Sequence, residues 1–271
     1  MTRTRTAAIF IVLIAFLTFA QVFSQVQAVP STTAATYANQ EKGLMIHVHV
    51  IQDGLPSPSL SELRQSGFTL LGTQVYLGSG QDPLGWGGWS AIASWIKLVH
   101  NEGLRAFVLI GLEKASVKTI TDLVKKAASI GADVIVLDEL IARYAITQKN
   151  LKSILDAGLR ASPSLQFIVV EYTPNAITNA YAWTSSYKSV RVATDNYYDM
   201  STMDLGVKLA TQYGKSPLVW LIFSPGSKDF PCYADLDSWM AYAKQLGLSA
   251  LFWKIDEEGA WQTKWQSVLR F

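Results

Sequence analysis

One cysteine in 271 residues, Cys232, leaves no partner within the chain for a disulfide. Its thiol reads as a semi-buried loop cysteine. Charge is also scarce. Asp, Glu, Lys and Arg make up 16% of the chain, against ~25% in ordinary soluble domains. The net charge is only +2, and no run or stripe of Lys and Arg appears. That argues against nucleic acid as a partner. What the chain has in quantity is apolar: 49% of its residues are hydrophobic, ample for a sizeable core.

The first residues read as an export signal. Arg3 and Arg5 carry the only early charges, an apolar run spans Ala7 to Ala20, and Val26-Gln27-Ala28 offers small residues suited to a signal peptidase. The run is short for a membrane span, which needs about 20 apolar residues. Residues 1–28 are therefore expected to be a signal peptide, with the mature protein secreted or extracytoplasmic. The alternative is an uncleaved anchor if the apolar stretch extends to Phe23, and only then is a membrane a partner. Residues 29–42 (VPSTTAATYANQEK) are small and polar and read as a tether. Residues 43–271 remain for the folded domain.

Eight apolar, β-branched runs recur through that domain: Leu44–Ile51, Thr69–Leu77, Ala106–Leu112, Asp133–Leu137, Gln166–Glu171, Val190–Thr194, Pro217–Phe223 and Ala250–Ile255. Such near-continuous runs suit parallel strands covered on both faces. Between them, Ser90–Asn101, Val117–Ala128, Leu151–Leu159, Met203–Tyr213 and Leu236–Leu246 show helical apolar faces. Gly67, Gly103, Gly131, Gly214 and Gly247 each stand between a helix and the next strand, the place of a helix-terminating glycine. Alternation with eight strands specifies a (β/α)₈ TIM barrel in a single domain, ahead of an open doubly wound sheet.

Barrel active sites lie at the C-terminal ends of the strands, and the acids gather there. Asp53, Glu113, Asp138, Glu139, Glu171, Asp195, Asp199, Asp256, Glu257 and Glu258 follow strand ends, ten of the chain's 21 acids. Asp53, Glu113, Glu257 and Glu258 suit solvated loops or helix caps. Asp138, Glu139 and Glu171 each end an apolar strand, on strands that are neighbours in a barrel. A carboxylate there is partly desolvated, which raises its pKa and suits a general acid. These three are the catalytic candidates, with Glu171 paired to either Asp138 or Glu139. Alternation on strand four allows only one of those two to point straight inward, and the sequence does not decide which. A separation of about 5 to 5.5 Å would favour a retaining glycosidase, a wider one an inverting enzyme.

Aromatic residues fit a sugar substrate, since flat rings with a polar tip stack on sugar faces. Tyr76, Tyr172, Tyr197, Tyr198 and Trp253 lie at strand ends, with Trp86 and Trp89 in the glycine-rich second loop. Trp95, Trp220 and Trp239 read as core. His47 and His49 share one face of strand one and are expected to look inward, while Ile46, Val48 and Val50 pack on the helices. The H-x-H pair resembles that of the metal-dependent amidohydrolase barrels, which also need histidines after strands five and six. Here the remaining His100 falls inside a helix, Glu171 stands where a histidine belongs, and Asp256 mimics the last-strand aspartate. A metal would need both histidines and carboxylates. Hydrogen bonding to substrate or to a catalytic acid is the preferred role of the pair, so no metal and no cofactor are expected.

Three segments resemble glycoside hydrolase family 18, the chitinase-like barrels. GADVIVLDEL (Gly131–Leu140) resembles that family's fourth-strand D-x-x-D-x-D-x-E, NYYDM its sixth-strand Y-D at Tyr198 and Asp199, and LFWKIDEE the last-strand tryptophan flooring the sugar site at Trp253. Aligning Asp133 and Asp138 with the outer aspartates puts Val136 at the middle one and Leu140 at the catalytic glutamate. Glu139 comes one residue early. The resemblance therefore implies a glycosidase-like barrel in which Glu139 substitutes after a local shift, Glu171 is the acid, or the barrel is a non-catalytic relative. The reading is an exported glycoside hydrolase acting on a polysaccharide or glycan, with His47, His49, Tyr76, Asp195, Tyr198, Asp199, Trp253 and Asp256 binding substrate. The rivals are a metal-dependent hydrolase using His47 and His49, and a glycan-binding barrel without turnover. Oligomeric state stays open.

Overall fold

Five of the seven described helices stop just before a glycine. In the computed structural model Gly103 (φ 73°) and Gly131 (φ 96°) adopt left-handed backbone that a side chain would disfavour. Their N–H groups donate back to the carbonyls of His100 and Ala128. Gly67, Gly214 and Gly247 stand likewise after their helices with positive φ. A strand follows each of these turns within a few residues.

The structure describes residues 41–46, 59–77, 88–112, 115–195, 200–223, 236–254 and 267–271, without the side chains of residues 76, 77, 112, 222, 223, 253 and 254. The chain divides into Met1–Ala38, all of it outside the described residues, and the unit Asn39–Phe271. In that unit eight strands alternate with helices: β1 Lys42–Met45, α1 Leu60–Gln65, β2 Leu70–Leu77, α2 Gly88–Asn101, β3 Arg105–Leu112, α3 Val117–Ser129, β4 Val134–Asp138, α4 Gln148–Ala161, β5 Gln166–Glu171, α5 Pro174–Thr184, β6 Val190–Asp195, α6 Ser201–Gln212, β7 Leu218–Phe223, α7 Leu236–Gln245 and β8 Ser249–Lys254. Each strand pairs in parallel with the next, and β8 closes on β1. The fold is a (β/α)₈ TIM barrel. No described helix is long and apolar enough to cross a membrane.

Two helices lie outside the helical patterns read from sequence. The six residues of α1 show too little periodicity, although Ser59 and Glu62 form a reciprocal capping box at its start. In α5 the buried face includes the small residues Ala176 and Ala180, which blur its stripe. Strand β1 starts at Lys42, the residue that ends the polar tether in the sequence reading.

Closure gives the strands two apolar layers. Met45, Leu70, Phe107, Val136, Val170 and Trp220 belong to the lumen cluster. Leu44, Ile46, Val108, Leu137 and Val169 belong to the layer beneath the helices, which also takes Trp95 and Trp239. Those two tryptophans and Trp220 are core residues as expected, and Trp89, read from sequence as part of the second loop, lies in the first turn of α2 and packs against the outer layer. The lumen is filled, not open. Phe107 and Trp220 meet edge to face with centroids 6.3 Å apart.

Gly72 is what lets Phe107 lie across the lumen, because a Cβ built on Gly72 would fall 2.3 Å from the Phe107 ring. Gly72→Ala is expected to lower unfolding free energy by about 3 kcal/mol, measured by urea denaturation. Adding Phe107→Leu should recover part of that loss. An unchanged midpoint in the single variant would contradict this packing.

Candidate functional site

Strand parity decides what reaches the mouth. On β4, Val134 and Val136 line the lumen while Ile135 and Leu137 face the helices. Asp138, the last residue of β4, therefore points inward. Of the two acids the sequence left tied, it is the one on the barrel axis. Its side chain is half-buried, yet Oδ1 is fully buried and has no hydrogen-bond partner among the described residues. Burial pushes the Asp138 carboxyl up to about 8, the negative charges of Glu139 and Glu171 add to the rise, and Arg143 partly offsets it. Asp138 is thus largely protonated at neutral pH and able to give a proton away.

The next residue breaks the alternation. Glu139 takes φ 52°, left-handed backbone rarely adopted by a residue with a side chain. Its N–H still donates to the Val170 carbonyl at 2.9 Å, prolonging the β4–β5 ladder by one bond, and its own carbonyl accepts from Arg143 N–H at 3.0 Å. Its buried carboxylate accepts from Arg143 Nη1 at 3.0 Å. Burial raises the Glu139 pKa, and the Arg143 bond and charge oppose that rise. The turn sends Leu140 outward into the helix-side core, fully buried. Position 140, where the chitinase-like motif has its acid, is here a packing site. Asp133, matched to the first aspartate of that motif, lies at the other end of β4, where Oδ2 accepts from Ala106 N–H at 2.7 Å and meets His100 Nε2 at 2.8 Å.

Glu171 lies on the other face of its strand. Val170 faces the lumen, so Glu171 falls on the helix side with Phe167 and Val169. It does not join Asp138 as a lumen-facing pair. Its two oxygens accept from the N–H groups of Ile141 (2.7 Å) and Ala142 (3.0 Å), fastening the turn that Glu139 begins. Burial raises its pKa to about 7, the two N–H bonds hold it down, and the charge of Glu139 adds a smaller rise. The three acids are neighbours, and of the two that keep strand parity, Asp138 and Glu171, Asp138 is the one turned to the lumen.

Asp195 ends β6 beyond the lumen-facing Ala193, so it too points inward, and it is buried. Tyr76 and Trp253 lie in β2 and β8, their side chains outside the described part. His47, His49, Tyr198, Asp199, Asp256 and Cys232 lie outside the described residues, as do Trp86 and Tyr197. Ile46 packs on the helix side as expected. Among the described residues no three His, Cys, Asp or Glu side chains are placed to hold a metal ion, and the metal reading rests on the two histidines beyond them.

Two residues escaped the sequence reading. Gly111 faces the lumen after Phe107 and Leu109, and a Cβ there would sit 3.9 Å from Asp138 Oδ2 and 3.4 Å from Gln74 Nε2. The missing side chain leaves a notch beside the acid, bordered by the Gln74 amide. A glycine within an apolar strand often marks the close approach of a ligand. The signals were present in LIGL and GTQVY, a glycine and a polar residue where lumen parity puts them.

No protein-family model and no curated protein sequence matches the chain. Solved structures do, at the level of fold. It is similar to a glycoside hydrolase family 30 subfamily 8 xylanase from Clostridium acetobutylicum, with 14% identity and a TM-score of 0.53 over 85% of this chain and 70% of the xylanase. A family 18 chitinase from Pseudoalteromonas aurantia gives 12% identity and a TM-score of 0.52 over 84% of this chain and 99% of its own. A sugar phosphate isomerase/epimerase from Parabacteroides distasonis gives 14% and 0.50, over 88% and 96%. Hydrolases and isomerases share this barrel, so the likeness establishes architecture and leaves chemistry to the site.

An acid whose folded pKa lies far above its unfolded value holds its proton in the native state while the unfolded chain has lost it. Stability then falls as pH rises from about 4 to about 8. Asp138→Asn removes this penalty. The variant should be no more stable than the parent below about pH 4, and more stable at pH 7 by on the order of 2 kcal/mol. Urea unfolding at both pH values is the check, and a variant less stable at pH 7 would contradict the burial argument.

Proposed function

We propose that this protein is an exported glycoside hydrolase in which Asp138 donates the proton to the leaving glycosidic oxygen. The observation that carries the reading is a lumen-facing carboxyl at the end of β4 with a buried oxygen that has no partner among the described residues and a pKa pushed up to about 8. A protonated acid held at neutral pH is what cleavage of an acetal needs. The second carboxylate acts on the opposite face of the sugar. Asp195 faces the lumen with Asp138 and is the first choice. Glu139 is the other, and Glu171 supports the turn as a positioning residue. Gln74 and the Gly111 notch supply room and a hydrogen-bonding amide for a substrate hydroxyl beside the acid.

The test is a panel of soluble labelled polysaccharides with product stereochemistry followed by NMR. Turnover is expected on at least one, with Asp138→Asn lowering kcat by about 10²- to 10⁴-fold, the usual worth of a positioned general acid. Because the acid works only with its proton, kcat should fall on the alkaline side around pH 8. Azide should restore turnover to Asp195→Asn or Glu139→Gln, whichever removes a nucleophile. Full activity in Asp138→Asn would overturn the assignment.

Export is part of the same reading, supported by the Arg-flanked apolar run and the Val26-Gln27-Ala28 end. In its native host the protein is expected outside the cytoplasm with its N-terminus at Val29, read by N-terminal sequencing. Cytoplasmic protein still starting at Met1 would contradict this.

A further inference from the structure

The opposite end of the barrel carries a second polar assembly that the proposed reaction does not use. Glu41 is pinned there by its backbone: its N–H donates to Ser249 Oγ at 3.0 Å, and its carbonyl accepts from Ala250 N–H at 3.1 Å. Its carboxylate accepts from Arg105 Nη1 at 2.8 Å and from Arg191 Nη2. Arg105 Nη2 donates to Gln166 Oε1 at 2.8 Å. These bonds tie β3, β5 and β6 to the start of β1 and hold two guanidiniums at the edge of a cavity of about 460 Å³. Thr69, Lys188 and Ser189 complete its lining.

The charge does not balance. Arg105, Lys188 and Arg191 face a single carboxylate, Glu41, leaving two positive charges in excess in one concavity. Closure of the barrel accounts for the Arg105–Glu41–Arg191 clasp, but it does not account for Lys188 and Ser189. Lys188 Nζ and Ser189 Oγ have no partner among the described residues. Like charges held together in a recess concentrate a positive field that draws anions. Guanidinium groups match the oxygen spacing of phosphate and sulfate, and an ammonium adds a charge-assisted bond. The volume falls in the range of small-molecule sites, so it admits such an ion with an attached group.

We infer that this N-terminal cavity binds a tetrahedral oxyanion, phosphate or sulfate, free or as the ester of a larger molecule, among Arg105, Lys188, Ser189 and Arg191. Lys188 is exposed and lies apart from the clasp, so Lys188→Gln tests the site while leaving the fold intact, which circular dichroism verifies. Isothermal titration of the full chain with sodium phosphate and sodium sulfate, against sodium chloride at equal ionic strength, should show saturable one-site binding. Lys188→Gln should weaken it about tenfold, the usual effect of losing one charge-assisted bond, and Ser189→Ala less. Glycerol 3-phosphate and a sulfated disaccharide separate the sources. Binding about tenfold tighter than the inorganic ion identifies an ester, and equal binding identifies the free ion. Absence of saturable binding by any of these oxyanions would overturn the inference, as would binding unaffected by both substitutions.

Discussion

A closed ring of parallel strands gives each side chain two destinations, the lumen or the layer under the helices, and the choice alternates residue by residue. Most of what distinguishes this protein follows from that restriction. It sends Val134, Val136 and Asp138 inward as one series, and Phe167, Val169 and Glu171 outward as another. Two acids at adjacent strand ends therefore do unlike things. Asp138 enters the lumen with an oxygen that no described residue satisfies. Glu171 turns away, and its oxygens satisfy two backbone N–H groups that a tight turn would otherwise leave exposed to desolvation.

Glu171 and Glu139 together make the turn possible. A residue with a side chain at φ 52° is a local strain of roughly 1–3 kcal/mol. The bonds to Ile141, Ala142 and Arg143 offset it, and Leu140 sinks into the core. The result packs three acids close together with Arg143 bonded to one of them. In water such a cluster would disperse. Here burial raises the pKa of all three carboxyls, which costs stability at neutral pH. The two ends of the barrel are opposite in character: acids gather at the C-terminal mouth, and guanidiniums around one glutamate close the N-terminal end.

The architecture was legible because it depends on repetition: eight apolar runs, helical stripes between them, and a glycine at each of several helix ends. The placement of Ile46 on the helix side and of Trp95, Trp220 and Trp239 in the core followed from the same patterns. The candidate site was legible as a list of residues and less so as an arrangement. Parity along QFIVVE groups Glu171 with Phe167 and Val169, but nothing in one sequence says which group faces inward. That depends on how the closed barrel packs, which puts Val170 in the lumen and Phe167 and Val169 beneath the helices. The left-handed Glu139 could not be read at all, since neither glycine nor asparagine marks it. Gly111 and Gln74 were visible as letters, but their meaning comes from Asp138 lying across the notch from them.

This turn also accounts for the broken resemblance to the chitinase-like motif. In that motif the acids at the last two marked positions sit two residues apart, so a strand that keeps its pleat presents both to the lumen. Here β4 ends at Asp138, Glu139 reverses the backbone hand, and residue 140 is carried into the helix-side layer. A glutamate at 140 would be buried among apolar side chains, where it could reach no sugar and would destabilise the fold. Leucine is the residue that the local geometry wants. The last residue of β4 that parity turns to the lumen is therefore Asp138, and an acid substituted at residue 140 would not join it there. In this chain the left-handed Glu139 and the burial of Leu140 belong together, because the turn at 139 is what carries residue 140 beneath the helices.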